Sequence, residues 1–450
     1  MHKAIIAILA GAIVTAPVPA VSQSSAVQSN AFWQAIGDTT LTRLIGEALR
    51  GSPSAHVAEA RVGASRASRT LTAFDLVPTV TGTGSVLRSR QSLAQVPGAI
   101  GALPQRDLYD VGFDASWELD LFGRVRRTVN AQNALVESAE HSLDDVDVTL
   151  GAEVGRAYFE MRGAQRQLAV ALRNGDVQRR TVQLTEDRLA AGRGTAFDVE
   201  RARSVWQLTV AAVPGLQAQV STGKNRVAVL LGRLPGAEFV ELDAAATLPV
   251  LPDTIVIGSL HAVARRRPDV LAAERLLAAR GLSVSVARAD YLPHVELAAS
   301  MGYTAGAFQS LTNTGASRVL FGPVVSFPLL DLGRVKQRVR FAAAQQDEAR
   351  AEYAGTMLRA VEETEDAVVN YNRARERVGI LDDAVRSSTH ATELAQQRFE
   401  GGLTDFLQVL DAQRTLLEAE NQLANAHTAA AVALVALYKA TGGSWSGGGK

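Results

Sequence analysis

Along this chain the spacing of apolar positions changes in a fixed order, and the whole order occurs twice. Short helical patterns over Leu41 to Arg50 and Ser259 to Arg267 each give way to a proline, Pro53 or Pro268. Proline suits the first turn of a helix and breaks its interior, so each one predicts a restart. The longer helices that follow should run to about Phe74 and Ala289, where Asp75-Leu76-Val77-Pro78 and Asp290-Tyr291-Leu292-Pro293 stop the pattern.

The period then drops to two, which predicts strands with unlike faces. Val295, Leu297, Ala299, Met301 and Tyr303 alternate with His294, Glu296 and Ser300, and Val80, Gly82, Gly84 and Val86 repeat this weakly. The return strands alternate more strongly, through Tyr109, Val111, Phe113, Ala115 and Trp117, and through Val319, Phe321, Pro323, Val325 and Phe327. Residues 88–107 and 304–317, rich in Gly, Ser, Thr, Pro and Asn, read as the intervening loops. Two hairpins packed on a helical core would satisfy the alternation alone. Strands of about ten residues, aromatics near the strand ends and long loops at one end only are features of outer-membrane barrels. On that reading the face of Tyr109, Val111, Phe113, Trp117, Val319, Phe321, Val325 and Phe327 meets lipid.

After Gly123 and Gly333 the helical period returns and persists to Ala191 and Gly401. At about 1.5 Å per residue, such a helix is on the order of 100 Å long. Its apolar positions in the first copy are Val136, Ala139, Leu143, Val146, Leu150, Val154, Ala157, Met161, Ala164, Leu168 and Leu172, a mean step of 3.6 residues over 36. A strict heptad would average 3.5 and supercoil left-handed, so nearly straight helices are expected. Single returning helices, Phe197 to Leu231 and Phe406 to Thr441, follow tight turns at Ala191-Gly192-Arg193-Gly194-Thr195 and Gly401-Gly402-Leu403-Thr404-Asp405.

These parallels amount to a duplication. Residues 124–232 lie over 334–442 without a gap at an offset of 210, and the upstream segments match at 215. Solenoid periods run about 20–50 residues, so this is a repeated subdomain arranged about a pseudo-twofold axis. The expected organisation is a first repeat over 21–235, a linker over 236–257, a second repeat over 258–445 and a tail over 446–450.

Composition then removes alternatives. Met1-His2-Lys3, the apolar run Ala4 to Ala16 and Val18-Pro19-Ala20 read as a secretory signal peptide over 1–20, too short to span as a helix. No later stretch is expected to reach spanning length, the best, Ala429 to Leu437, reading as a buried helix face. Any membrane passage would then be by strands. The chain has no cysteine, which excludes disulfides, thiolate metal sites and lipidation of an N-terminal Cys. Lys+Arg and Asp+Glu balance at 46 each, which argues against a nucleic-acid partner. The seven His lack metal-ligand spacing, and Gly82-Thr83-Gly84 lacks the third Gly and the helix of a phosphate loop. No catalytic, cofactor or metal constellation emerges, so no enzyme is expected. A soluble periplasmic coiled-coil adaptor, the rival from another class, predicts one hairpin and no amphipathic strands.

Four strands cannot close a barrel, and open edges are not tolerated in lipid. Eight strands from two chains would be filled by side chains; twelve from three chains would leave a conduit. A homotrimer is expected.

Phe32-Trp33-Gln34-Ala35-Ile36-Gly37-Asp38, Arg267-Pro268-Asp269-Val270, Asp331-Leu332-Gly333-Arg334, Val409-Leu410-Asp411-Ala412-Gln413 and Leu437-Tyr438-Lys439-Ala440-Thr441-Gly442-Gly443 together resemble the outer membrane efflux proteins, in the NodT/OprM-like branch of the TolC-like family. The resemblance spans about residues 31–445. It implies a mostly α protein with a membrane β-barrel, in which two repeats, each of two strands and a long helical hairpin, trimerise into a 12-stranded barrel and a periplasmic α-barrel. It also implies a periplasmic adaptor (membrane fusion) protein and an inner-membrane transporter as partners, outer-membrane lipid around the strands, and export of drugs or other small molecules. A protein-secretion duct is the alternative within the class. Many members of the branch carry a lipid on an N-terminal cysteine, an anchor absent here. By position, the periplasmic gate falls on Asp198, Gln408 and Asp411, with Gln408 where relatives often have an acid. A basic latch of some relatives falls near Thr404 and is missing, Arg193 and Arg201 being possible replacements. Adaptor docking falls on the tips, Gly192, Arg193, Gly402 and Leu403, although glycine there also serves simple turn chemistry.

Overall fold

A computed structural model describes residues 32–92, 94, 98, 100–101, 103–243 and 259–443. The expected signal peptide and C-terminal tail, and the linker beyond residue 243, lie outside the described residues.

The first repeat comprises α1 (Thr39–Gly51), α2 (Pro53–Ala73), β1 (Thr79–Ser89), β2 (Arg106–Glu118), the 67-residue α3 (Arg124–Ala190), α4 (Ala196–Ala211) and α5 (Val213–Leu230). The four-residue α6 (Val240–Asp243) follows. The second repeat has α7 (Leu260–Ala264), α8 (Pro268–Ala289), β3 (His294–Ala305), β4 (Ser317–Ser326), the 69-residue α9 (Leu332–Glu400) and α10 (Phe406–Ala440). Both prolines, Pro53 and Pro268, open their helices.

The returning helix of the first repeat departs from expectation. It is two helices, interrupted at Ala212. Pro214 has no N–H to give the Val210 carbonyl and its ring crowds that turn; the Ala212 N–H instead closes a tighter turn on Thr209 O at 3.3 Å. The second repeat has no proline there, and α10 runs 35 residues unbroken.

A second correction concerns α3. Its buried stripe below Leu150 continues through Val154, Ala157, Met161, Ala164, Ala171, Gly175, Gln178, Val182 and Thr185, whereas Leu172 is 51% exposed. With half-buried Leu168 included, that is ten steps in 35 residues, a mean of 3.5. Such a seam favours left-handed supercoiling over the nearly straight course expected.

A third correction concerns hydropathy. Phe406–Ala440 does contain an 18-residue window of mean hydropathy 1.2, enough by length and composition to cross a membrane. More than half of that window is buried, and Ala431, Leu434, Val435 and Tyr438 pack into the protein's main core, so it is an interior helix.

That core lies at the middle of the long helices and explains the N-terminal motif. Trp33 is fully buried, its ring 4.9 Å from Phe32 and 4.6 Å from Tyr438. Space for the indole comes from α3, where a Cβ on Gly155 would lie 2.7 Å from Trp33 Cη2. Asp38 caps α1 by accepting the Leu41 N–H at 3.0 Å and also accepts the Tyr158 hydroxyl at 2.7 Å. Burial, reinforced by that carboxylate, pushes the Tyr158 phenol up to about 12. In the second repeat Arg267, 6% exposed, binds Asp269 at 2.8 Å and Glu363 at 2.7 Å and donates to the Ala440 carbonyl at 3.3 Å. A buried guanidinium needs such partners, and here they clasp the start of α8 to α9 and to the end of α10.

The two repeats make the same closing contact. Gly232, with φ +77°, sits against Gly51 and Pro53; Gly442, with φ +68°, sits against Arg267 and Pro268. Left-handed backbone and contact this close both require glycine, which is why these residues superpose in the duplication.

All four described strands form one sheet in the order β1-β2-β3-β4, every neighbour antiparallel. The central pairing, β2 with β3, joins the repeats directly, with Val111 opposite Tyr303 and Phe113 opposite Met301. Among the described residues, β1 and β4 each have one unpaired edge.

Candidate functional site

The two hairpin tips are built alike. At the end of α3 the Gly192 N–H reaches Leu189 O at 3.0 Å and the Arg193 N–H reaches Arg188 O at 2.8 Å. At the end of α9 the Gly402 N–H reaches Phe399 O at 3.0 Å and the Leu403 N–H reaches Arg398 O at 2.8 Å. This crossed pair is the Schellman cap, whose turn residue needs left-handed backbone. Gly192 and Gly402 supply it with φ of 72° and 69°, and neither is hemmed in, since a Cβ on either would meet nothing within 4 Å.

Beyond the turns the helices restart on different caps. Thr195 caps α4 reciprocally: its hydroxyl accepts the Asp198 N–H at 3.2 Å, and the Asp198 carboxylate accepts the Thr195 N–H at 3.2 Å and its hydroxyl at 2.6 Å. Asp405 caps α10 by accepting the Gln408 N–H at 3.2 Å. Asp198 and Gln408 are therefore equivalent positions in the duplication, yet Asp198 is turned back onto its own helix while the Gln408 side chain is exposed. Asp411 is also exposed, one turn further along, and makes no side-chain hydrogen bond or ion pair among the described residues. Its repeat mate is Arg201, whose guanidinium lies 6.0 Å from the Phe197 ring.

Under the tips one apolar cluster fastens the two hairpins together: Val182 from α3, Ala202 and Trp206 from α4, Phe399 from α9, and Phe406, Val409 and Leu410 from α10. The Arg188 guanidinium covers the Phe399 ring at 4.1 Å. Three apolar side chains nevertheless stay outside at the tips, Leu403 (74% exposed), Phe197 and Leu407. Sequence reasoning singled out Leu403 and missed Phe197 and Leu407, which read as ordinary first-turn residues.

At the other end of the molecule the register puts Tyr109, Val111, Phe113, Trp117, Val319, Phe321 and Val325 on one face of the sheet. Phe113, Val319, Phe321 and Val325 are all more than 60% exposed. Phe327 falls just beyond the end of β4, so it flanks the strand. Trp117 donates its indole N–H to Leu76 O at 3.1 Å, fixing an amphipathic ring at the helix-proximal end of β2. The opposite face carries the polar side chains Thr83, Asp110, Asp114, Ser300, Thr304 and Arg318, with Leu108, Leu320 and Val324 among them. An unpartnered apolar face backed by a polar one, on a sheet continuous with two very long helical hairpins, is the subunit of a membrane barrel mounted on a helical tube.

The description "outer membrane efflux protein" matches residues 44–233 and 260–443, one segment for each repeat. The chain belongs to the outer membrane efflux protein family. The channel is 30% identical over 430 residues to the outer membrane protein OprJ of Pseudomonas aeruginosa, covering 95% of this chain and 88% of that one. It is 27% identical over 415 residues to the toluene efflux pump outer membrane protein TtgI of Pseudomonas putida, with 91% and 86% covered. Among solved structures, the outer-membrane channel OprN matches with a TM-score of 0.86 and 38% identity over 92% of each chain. VceC from Vibrio cholerae matches with a TM-score of 0.82 and 27% identity over 92% of this chain and 98% of its own. The channel is thus an outer-membrane efflux component with a large periplasmic part.

The geometry separates two roles that position alone assigned together. Asp198→Ala should cost about 1 kcal/mol of local stability through the lost cap, seen as faster amide exchange over residues 195–199, with Asp411→Ala leaving that exchange unchanged. Equal protection in both variants would show that the Asp198 bonds contribute nothing to the tip.

Proposed function

We propose that the channel works as a homotrimer and a passive conduit, its strands pooled into a barrel of twelve and its six helical hairpins forming the tube beneath. The observation that carries this reading is the pair of open sheet edges, β1 and β4, on a sheet of four strands with an apolar face. Exposed N–H and C=O groups are prohibitively costly in hydrocarbon. Pairing β4 of one chain with β1 of the next, three times over, leaves no edge. The apolar face then meets outer-membrane lipid and the polar face lines the conduit.

The tips are the proposed meeting point with a periplasmic adaptor, itself coupled to an inner-membrane transporter. Gly192 and Gly402 present bare backbone at the very ends of the hairpins, followed by Arg193 and Leu403, and exposed Leu403, Phe197 and Leu407 add apolar surface for a partner. Relatives named for toluene and solvent efflux support small molecules, apolar ones included, as the cargo. A conduit of this kind has no chemical step to perform.

For the gate, Asp411 is the residue best placed to act across the threefold axis, being exposed and its side chain uncommitted to any hydrogen bond or ion pair among the described residues. Asp198, already bonded in its cap, and neutral Gln408 contribute less. A ring of three Asp411 carboxylates would favour cations and resist closure unless counter-charged.

Two experiments bear on these readings. Arg at Val111 should destabilise assembly by about 2–4 kcal/mol, the cost of a charge at mid-membrane on the lipid face, whereas Arg at Leu320, on the other face, should be tolerated; the reverse pattern would invert the facing. Asp411→Ala should weaken cation preference and cation block in single-channel recordings of reconstituted protein, and unchanged values would remove Asp411 from the constriction.

A further inference from the structure

The polar face of the sheet carries one continuous hydrogen-bonded chain that crosses all four strands. Thr83 of β1 donates to Asp114 of β2 at 3.0 Å, and Ser300 of β3 donates to the same carboxylate at 2.7 Å. The Ser300 hydroxyl in turn accepts from Nη1 of Arg318 on β4. Through its other nitrogens Arg318 grips Asp110 of β2 in a two-point fork, Nε to Oδ2 at 2.8 Å and Nη2 to Oδ1 at 2.7 Å. Thr304 of β3 completes the set by donating to Asp110 Oδ2 at 2.5 Å. Such a fork fixes orientation as well as charge.

The sheet is shaped to seat this arginine. Arg318 stands opposite Gly302, and Gly302 opposite Gly112, two residues along β2 from Asp110. A Cβ on Gly112 would come within 3.2 Å of Arg318 Nη2 and 2.6 Å of the Met301 carbonyl, and one on Gly302 would lie 2.5 Å from the Val111 carbonyl. The two bare residues form a trough in which the long side chain crosses a strand to reach its partners.

The charge balance gives the network a consequence. Among the described strand residues, this face bears the carboxylates of Asp110, Asp114, Glu118 and Glu296 against two guanidiniums, Arg318 and, at the loop end of β2, Arg106, with His294 at the helix-proximal end. Glu118 has a counter-charge from outside the sheet in Arg124. Asp110 and Asp114 depend on Arg318, the first directly and the second through Ser300.

We infer that Arg318 is a specificity-determining residue of the conduit: held over the glycine pair, it offsets the acidic wall of the barrel and sets how strongly the pore prefers cations over anions. Rings of like charge along a pore govern ion preference, and a threefold assembly triples whatever one chain presents. The inference rests on the reading that this face lines the lumen, and it is independent of the periplasmic tips. It predicts that the charge of an exported compound is felt in the outer-membrane segment as well as at the entrance.

The test uses full-length channel reconstituted in planar bilayers under a potassium chloride gradient. Arg318→Gln should raise the potassium-to-chloride permeability ratio by about twofold or more, because two carboxylates per chain lose their counter-charge. Arg318→Lys keeps the charge without the fork and should stay near the parent ratio. Asp114→Asn should move the ratio the opposite way, and it decides the matter alone if Arg318→Gln yields no assembled channel. An unchanged ratio in Arg318→Gln, or in Asp114→Asn when that variant decides alone, overturns the inference, as does movement of the two in the same direction. Because the chain has no cysteine, Thr81→Cys on the same face gives a clean control for the facing. Its modification by a water-soluble, membrane-impermeant thiosulfonate with a fall in conductance upholds the lumen reading. An unreactive Thr81→Cys beside a reactive Phe113→Cys overturns that reading, and the inference with it.

Discussion

The constraint on which the structure depends is the hydrogen-bonding demand of strand edges in lipid. A chain that contributes four strands in one antiparallel sheet ends on two rows of unpaired backbone groups, and its apolar outer face forbids leaving those rows in water. On the proposed reading closure comes from other copies, and the helices inherit the symmetry the strands impose. The long hairpins then serve as staves of a tube whose diameter is set by how many sheets close the barrel.

Within one chain, the duplication lets one set of contacts be used twice. Proline-started helices, Schellman caps at the tips and glycines docked against the helix starts recur in both halves. The halves also differ at particular positions. Only the first returning helix is broken at Pro214, and only the second carries an uncommitted acid, Asp411, where the first has Arg201. In the proposed trimer, such differences would let two similar hairpins meet different neighbours around a threefold axis.

Most of the architecture was legible because it is written in local periodicity. A period of two marked the strands, the loops between them fell within a residue or two of the observed ends, and both tips were readable from Gly-rich turns. What escaped depended on contacts across the fold. Leu172 belongs to a helical stripe by spacing alone, but the seam that packing selects passes through Ala171 and Gly175. Val213-Pro214-Gly215 signalled a break that the apolar pattern around it masked. Asp198 could be placed at the tip, but its commitment to the Thr195 cap is a matter of geometry. The Arg318 network was the least legible element, because Asp110 and Arg318 are 208 residues apart and meet only once β2 pairs with β3 of the other repeat. Their strands were read for the apolar face, and alternation alone does not say which polar residues of different strands will meet.

The central claim is that three copies share one barrel. The mass of full-length protein purified in detergent, measured by native mass spectrometry with the detergent stripped in the gas phase, tests it most directly. The account predicts a single species of three chains that survives dilution. A stable monomer, or any other closed number of chains, would contradict it.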